Sequence, residues 1–503
     1  MNSRDMEQTA NSLASAASGA TPPRASGAAA SRTVMGMMAV IYVAVVALHT
    51  PPLLWPMIEA DDFSILEQSW TWQATWENLW VPANEHAMPL GRLSTWALVR
   101  LAGRPTLLPL ALACQGLLAV VAATGLLYLF VRRELGHPVY GLVAMILFGI
   151  STVYAEVVCW FSSSFGILAL DMLVLALLAA QRWRQTGRRP WLVLSAFWSA
   201  VAPAWFAWGI LAGPLCCLYL LLWCKPKTAP RSAVSLSPRL LVSLSFSPLL
   251  GSAAFLAVSL PLTADRIMHL EHYSGQTALE AFHPLTGLWY TARSLVDNLV
   301  VGFAGIPWVV LPPAAVVLGV CLVAGAAAWW WRQAPERGLL VLGLAFILTN
   351  YLLIYSARST WSYDQMHAWS RYHLLPQLGL ALFVCGGLPR WQARWHIGPA
   401  ATLSSGQVNA LGLLAGVLLL VNFPRGVLET PAYHQGEMEV LRRIEAVDAR
   451  CREYHISADA ARAALPRLPV PDWDDQHNGW VFLRGSDDPR PIRPEEARRL
   501  LER

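Results

Sequence analysis

The chain has 503 residues, of which 55% are apolar and 14% are charged, and its net charge is +5. Soluble domains carry about 25% charged residues, so this composition predicts an integral membrane protein rather than a soluble one. The basic residues lie in short clusters between apolar runs. That distribution is typical of membrane topology signals and argues against nucleic-acid binding.

The N-terminal residues 1–32 are rich in Ala, Ser, Gly and Thr and lack hydrophobic periodicity. This composition predicts a disordered cytoplasmic tail. The first apolar run, residues 34–54, could be the core of a signal peptide or a retained membrane anchor. We favour the anchor, because the run is long and no small-residue cleavage site follows it. Both interpretations place the next segment outside.

Ten more apolar runs follow, several of them shorter than the roughly 20 residues needed to cross a bilayer. They cover residues 107–131, 139–154, 161–181, 191–202, 208–223, 241–262, 308–331, 339–355, 374–387 and 408–423. We therefore predict an all-α polytopic membrane protein with about 11 transmembrane helices. Basic clusters follow every second run, on the side of the N-terminus. The positive-inside rule then predicts a cytoplasmic N-terminus and an outer C-terminus.

The predicted transmembrane domain covers residues 33–424. Its large outer loops are residues 55–105, 263–306 and 356–373. Residues 425–503 are charged and predict a small extramembrane domain on the outer side, which is α/β or mostly helical. Within this domain we expect an amphipathic helix at 436–454, turns and a short strand at 472–485, and a terminal helix at 493–503.

Three carboxylates, Glu59, Asp61 and Asp62, stand where the chain leaves the first apolar run. No Lys or Arg occurs between Arg32 and Arg92 to neutralise them. A carboxylate at an apolar boundary tends towards a higher pKa, which suits a general base. The alternative is an acidic, solvated start of a loop, and the motif alone does not decide between the two. If the chain is extended here, Asp61 and Asp62 point in different directions and do not form one acid–base pair.

The same loop ends with His86 and Arg92, which flank the start of an amphipathic stretch at residues 89–101. That stretch is too short to span a bilayer and is predicted to lie in the interface. His86 could orient an acceptor or bind a metal together with the acids. The alternative for His86 is a loop histidine with no chemical role.

Glu156 and Arg371 are charged residues at the outer ends of apolar runs. Glu156 lies beside Val157, Val158 and Trp160, where a carboxylate needs a partner or a use. We favour a functional role for it over a capping role. Arg371, followed by Tyr372, could hold a phosphate in bidentate fashion. The alternative is an arginine that snorkels to the interface.

Asp171 lies midway along the run 161–181. An acid at this depth is a functional candidate by default. A hydrogen bond to a neighbouring helix would satisfy it equally well, and we favour that structural interpretation.

In order along the chain, these motifs resemble the GT-C superfamily of membrane glycosyltransferases, and most of all the tetratricopeptide-linked transmembrane O-mannosyltransferases and their bacterial relatives. Asp61-Asp62 matches an acidic pair after the first span. His86-Ala87-Met88-Pro89-Leu90 matches the end of the first loop, Glu156-Val157-Val158-Cys159-Trp160 a Glu-Ala-Val-Ala-Trp-like turn, and Arg371-Tyr372-His373-Leu374-Leu375-Pro376 a helix entry.

The resemblance covers roughly residues 34–423 and has two departures. Ser162–Ser164 replace the basic residue expected after the Glu156 turn, and no tetratricopeptide array follows the membrane part. These departures bear on the donor contacts and on any inherited acceptor.

The resemblance implies an inverting transfer of a sugar from a polyprenyl-phosphate donor to an acceptor on the outer face of an inner or plasma membrane. Asp61, Asp62 and Glu156 would be catalytic, with Asp61 slightly favoured over Asp62 as the base. His86, Arg92, Arg371 and Tyr372 would bind substrate. Some relatives use a divalent cation and others do not, and Asp61, Asp62, His86 and Glu156 are the candidate ligands here. The expected partners are membrane lipid, the lipid-linked donor, and a glycan, lipid or protein acceptor.

Three other classes share part of this pattern. A polysaccharide polymerase or ligase also needs outer-face arginines and a lipid-linked donor. A secondary transporter would require more midplane charges and paired broken helices than Asp171 alone provides. A non-catalytic membrane assembly subunit would need no base at Asp61 or Asp62.

Overall fold

The computed structural model of the protein describes residues 24–54, 61–82, 87–223, 244–268, 282–302, 311–334, 337–359, 361–368, 370–394, 403–428, 434–465 and 483–502. Regular secondary structure in these ranges is helical, and no strand occurs in them. One isolated antiparallel bridge pairs Ser457 with Gly485. The described part of the chain is therefore all-α.

The first half of the described chain alternates long apolar helices with short ones. They are α1 (Arg24–His49), α2 (Pro51–Leu54), α3 (Asp61–Glu67), α4 (Trp72–Glu77), α5 (Pro89–Ala102), α6 (Leu108–Leu135), α7 (Pro138–Gly149), α8 (Glu156–Cys159), α9 (Phe161–Thr186), α10 (Pro190–Trp205), α11 (Ala212–Leu222) and α12 (Ser247–Met268).

The second half adds further apolar helices and then a charged helical segment. Its helices are α13 (Pro284–Val296), α14 (Pro313–Gln333), α15 (Arg337–Ala357), α16 (Tyr363–Ala368), α17 (Leu374–Arg394), α18 (Ser405–Leu428), α19 (His434–Glu453), α20 (Ala458–Ala464) and α21 (Pro494–Leu501). A π-helical turn, Asp297–Gly302, follows α13, and a 3-10 turn, Ser370–His373, precedes α17.

All eleven predicted apolar runs contain a helix, and six helical segments are long and apolar enough to cross a membrane. Those six are Arg32–His49, Pro105–Leu135, Phe161–Thr186, Pro313–Gln333, Arg337–Ala357 and Ser405–Phe423. Shorter apolar helices occur at Pro138–Gly149, Ala207–Leu222 and Ser247–Thr263. These lengths and compositions are those of an integral membrane protein.

Two local expectations are corrected. Helix α1 begins at Arg24, so the last residues of the predicted disordered tail are helical. Asp61 and Asp62 begin helix α3 instead of standing in an extended loop. The expected strand at 472–485 lies mostly outside the described residues.

Helix α9 is the most enclosed of the six candidate spans, with 83% of its apolar window buried, against 6% for α14. It packs against α6, α10 and α11. It ends at Gly187, whose φ of +67° is a left-handed conformation that glycine adopts without steric cost. Helix α9 is therefore a central helix of the described part, packed on several sides by its neighbours.

A buried ion pair holds the far end of α9. Arg184 Nη2 lies 2.6 Å from Glu134 Oε1, and the Glu134 side chain is fully buried. Gln181 Nε2 and the Tyr219 hydroxyl donate to Glu134 Oε2 at 2.9 and 2.8 Å. The Arg184 guanidinium also lies over the rings of Tyr219 and Trp223. These bonds join α9 to α6 and α11.

This network predicts a large penalty for removing one charge. Arg184→Met should lower the free energy of unfolding by about 3–5 kcal/mol, because Glu134 keeps a buried charge without its counterion. The double variant Glu134→Gln with Arg184→Met should recover most of that loss. Thermal unfolding of the purified protein measures both effects. Arg188→Met, which removes an exposed arginine near the same helix end, is the control. Equal melting temperatures for the two arginine variants would contradict the buried pairing.

Candidate functional site

Asp62 connects the segment that follows the first apolar run to the start of α9. Its side chain is fully buried, and its Oδ1 accepts a hydrogen bond from the Ser162 amide at 2.8 Å. Ser162 is the second residue of α9, and the amides of a first helical turn have no partner within their own helix. A carboxylate at this end also lies favourably in the helix dipole. Asp62 therefore caps α9 from another part of the chain.

Apolar packing brings α3 to this position. Ile65 and Leu66 are buried in one cluster with Met88, Phe161 and Phe165. Helix α3 thus packs against α5 and the first turn of α9. A helix as short as α3 is not stable by itself in water, so these contacts maintain it.

The helical conformation separates the two aspartates of the motif. Adjacent helical residues point about 100° apart, because 3.6 residues make one turn. Asp62 is the member tied to Ser162. The side chains of Asp61 and Glu156 lie outside the described part, as do Glu59 and His86 altogether. Glu156 is the first residue of the short helix α8.

Arg371 lies at the same end of α9. Its Cζ is 4.4 Å from the centroid of the Trp160 ring and 5.4 Å from that of Tyr372. Trp160 is the residue immediately before α9, and the turn that carries Arg371 packs against α8. A guanidinium over an aromatic face is stabilised by the ring quadrupole. The Arg371 side chain is half-buried, so it is partly accessible to an anion.

Tyr372 and His373 fasten this turn to α15. The Tyr372 hydroxyl accepts from Arg358 Nη1 at 2.6 Å, and its carbonyl accepts from Asn350 Nδ2 at 2.9 Å. The Tyr351 hydroxyl and His373 Nδ1 are hydrogen bonded at 3.0 Å. These three hydrogen bonds hold the turn that contains Arg371 against the end of α15.

Arg92 has a contact inside the segment between the first two long apolar helices. It is fully buried, and its Nη2 donates to the carbonyl of Val81 at 2.8 Å. This bond ties α5 to the chain that precedes residues 83–86. The hydrogen bond from Arg92 to Val81 therefore has a structural role in this segment.

A second buried acid, which the sequence analysis did not identify, is Asp297 in the π-helical turn after α13. The Tyr363 hydroxyl donates to Asp297 Oδ2 at 3.0 Å, and Arg293 Nε lies 3.9 Å from the same oxygen. The Arg293 guanidinium covers the Tyr363 ring at 4.0 Å. Burial raises the pKa of Asp297, while the Tyr363 hydrogen bond and Arg293 act against that rise. The spacing of Arg293 and Asp297, four residues apart as in a helical pair, was the available sequence signal.

The C-terminal segment packs on the same face as Asp62. Ile444 of α19 belongs to the buried cluster of Ile65 and Phe161. The Arg484 guanidinium lies 5.6 Å from the Trp70 ring centroid. The segment that carries Asp62 and the C-terminal segment therefore meet beside the start of α9.

The site combines a buried carboxylate, a helix N-terminus and a partly accessible guanidinium. The guanidinium supplies positive potential that suits a phosphate group, whereas the Asp62 carboxylate already occupies the N-terminus of α9. Within the described ranges, no three His, Cys, Asp or Glu side chains form a group that could hold a metal ion. The structure does not describe the side chains of three of the four candidate metal ligands, Asp61, His86 and Glu156.

No protein-family model, curated protein or solved structure matches this chain.

The Asp297 environment predicts a pH-dependent stability. Because its pKa is raised, the folded protein holds this proton at pH values above the ordinary carboxyl value of 3.8, where the unfolded chain has lost it. The free energy of unfolding should therefore fall as pH rises through that window. Asp297→Asn should remove this part of the slope, because the amide does not bind or release a proton in this pH range. The variant should keep its local structure, since Asn can still accept the Tyr363 hydrogen bond.

Melting temperatures of the wild type and of Asp297→Asn, measured from acidic to neutral pH, test this expectation. Asp364→Asn, an exposed acid on α16, is the matched control and should keep the wild-type slope. An unchanged slope in Asp297→Asn would show that burial does not perturb this carboxyl group.

Proposed function

We propose that the chain is a polytopic membrane glycosyltransferase with about 11 spans, related to the GT-C superfamily. It would transfer a sugar, with inversion, from a polyprenyl-phosphate donor to a glycan, lipid or protein acceptor. The base would come from the first outer segment, and a divalent cation is optional in this scheme.

One observation carries the proposal: two distant motifs meet at the start of α9. Asp62 Oδ1 accepts the Ser162 N–H at 2.8 Å, and two residues earlier the Trp160 ring packs under Arg371 at 4.4 Å. A reaction at a lipid-linked phosphate needs an acid and an anion-binding group near one membrane surface. Their shared location supports such a reaction.

The contacts of Asp62 support different roles for the two aspartates. Asp62 is buried and accepts a backbone amide, so we assign it to positioning and assign the base to Asp61. The Asp61 carboxylate would take the proton of the acceptor hydroxyl while that oxygen attacks the anomeric carbon. The bond from that carbon to the phosphate oxygen breaks, and the phosphate leaves with the electron pair. Arg371 would stabilise the charge that builds up on the phosphate.

The proposed topology places the N-terminus in the cytoplasm, with the site and residues 425–503 outside. The basic clusters after every second apolar run support it. The packing of Ile444 against Ile65 and Phe161 also supports it, since it puts the C-terminal segment on the face of Asp62. A transmembrane domain at 33–424 and a C-terminal outer domain fit this arrangement.

Replacing the aspartates tests the assignment of the base. Asp61→Asn should lower turnover roughly a hundredfold to ten-thousandfold, because the amide cannot take up the acceptor proton. Asp62→Asn should have a milder effect, since its Oδ1 can still accept the Ser162 amide. The assay is release of polyprenyl phosphate from radiolabelled polyprenyl-phosphate sugars by the purified protein in lipid.

Glu67→Gln is the matched control, because it removes an exposed carboxylate from the same helix α3. It should leave turnover unchanged. Near wild-type turnover in both Asp61→Asn and Asp62→Asn would remove the main support for an enzyme that uses this motif.

Arg371→Lys tests the phosphate contact. A lysine keeps the charge but loses the planar two-pronged donor. One charge-assisted hydrogen bond contributes about 1.5–3 kcal/mol, so the Kd for the donor lipid should rise about tenfold to a hundredfold. Equilibrium binding of a radiolabelled donor measures this change. Arg100→Lys, at an exposed arginine of α5, should bind donor normally. Unchanged affinity in Arg371→Lys would identify Arg371 as an interfacial arginine only.

A further inference from the structure

An open cavity of about 430 Å³, with a wide mouth on the protein surface, lies between α1, α6 and α9. Met38 and Tyr42 line it from α1, Gly125 and Tyr128 from α6, and Asp171 from α9. Its volume falls within the range of small-molecule sites. Except for Asp171 and the tyrosine hydroxyls, the lining is almost entirely apolar.

Asp171 is a buried acid that faces this cavity. Its residue surface is 4% exposed, and within the described ranges its Oδ1 has no hydrogen-bond partner. This corrects the expectation that a neighbouring helix satisfies it. Oδ1 itself lies beneath the cavity surface, so the carboxyl group must rotate to present this oxygen to an occupant. An unsatisfied polar atom in apolar surroundings costs free energy, so an occupant that bonds to the rotated carboxyl group is favoured.

The depth of Asp171 determines how an occupant can reach it. Asp171 stands ten residues from the start of α9, about 15 Å along the axis at 1.5 Å per residue. That is near the middle of a hydrocarbon layer about 30 Å thick. The residues at the cavity mouth, among them Ala122, Leu126 and Leu175, are partly or fully exposed. On a transmembrane helix such side chains face lipid, so access is from the bilayer.

We propose that this cavity binds an uncharged, single-chain alcohol from the bilayer, whose hydroxyl group hydrogen bonds to Asp171. An ion would have to leave water to reach this depth, which is far more costly than moving a hydroxyl group. At about 30 Å³ for each water-sized group, the cavity has room for roughly fourteen heavy atoms. The site is separate from the start of α9, and the inference does not depend on the proposed glycosyl transfer.

The experiment uses carbodiimide chemistry on the full-length protein in lipid nanodiscs. The O–H of a carboxyl group adds across a carbodiimide N=C bond. The oxygen bonds to carbon, the proton goes to nitrogen, and nothing leaves. Dicyclohexylcarbodiimide, which dissolves in lipid, should modify Asp171, as read by mass spectrometry of its peptide. A cationic, water-soluble carbodiimide should not. Modification by both reagents at equal rates would overturn the access from lipid.

Competition identifies what the site recognises. Dodecanol should slow the modification of Asp171 several-fold, whereas dodecane at the same mole fraction should not, because it lacks the hydroxyl group. Equal protection by the two compounds, or protection by neither, would overturn the proposal. So would the absence of any lipid-soluble modification in the wild type.

Two tryptophan variants separate filling of the cavity from general disturbance. Leu175→Trp places a large side chain at a lining position and should block modification of Asp171. Leu118→Trp adds the same side chain at an exposed position of α6 outside the cavity and should be modified like the wild type. Gel filtration establishes that both variants are folded. If Leu175→Trp proves unfolded, the competition in the wild-type protein decides the question. Full modification of a folded Leu175→Trp would show that the reagent reaches Asp171 by another route.

Discussion

The hydrogen bond from the Ser162 amide to the Asp62 carboxylate determines how the site is assembled. Helix α9 is enclosed by its neighbours, and its first turn is buried with them. The amides of that turn need acceptors from elsewhere. Asp62 supplies one, with a charge that suits the positive end of the helix dipole. Once this bond forms, α3 must lie against α9, and the apolar side chains of α3 complete the contact.

The other parts of the site follow from that position. Trp160 immediately precedes α9, and its ring supports Arg371. Ile444 closes over the cluster that α3 and α9 build. The 3-10 turn with Arg371 is held separately, by Arg358 and Asn350 of the α15 region. The first segment and the α15 region therefore meet at one helix end, although each is fastened by its own hydrogen bonds.

The sequence was sufficient to predict the helices but not their meeting points. Apolar composition over a long run is a local property, and each predicted run contains a helix. The Asp62–Ser162 bond uses the backbone of Ser162, so the identity of that residue gave no signal. The serines at 162–164 depart from the basic residue of the resembled family, and the structure gives the Ser162 amide a capping contact with Asp62. The Asp297–Tyr363 bond joins residues 66 positions apart, and no local pattern encodes such a distance. Helix α3 is too short for periodicity to identify it, because its stability comes from packing.

Three acids that lie within α9 or against its ends have different effects on stability. At one end Asp62 accepts an amide, and at the other Glu134 is paired with Arg184 and two further donors. Both arrangements satisfy a buried charge at the place where it lies. Asp171, between them, leaves Oδ1 unsatisfied among the described residues, which costs about 1–3 kcal/mol for a buried polar group. The polar bonds at the two ends of α9 therefore stabilise the bundle, while the unsatisfied oxygen of Asp171 opposes folding. A leucine at position 171 would pack there without this cost, so packing alone gives no reason for an acid at that depth.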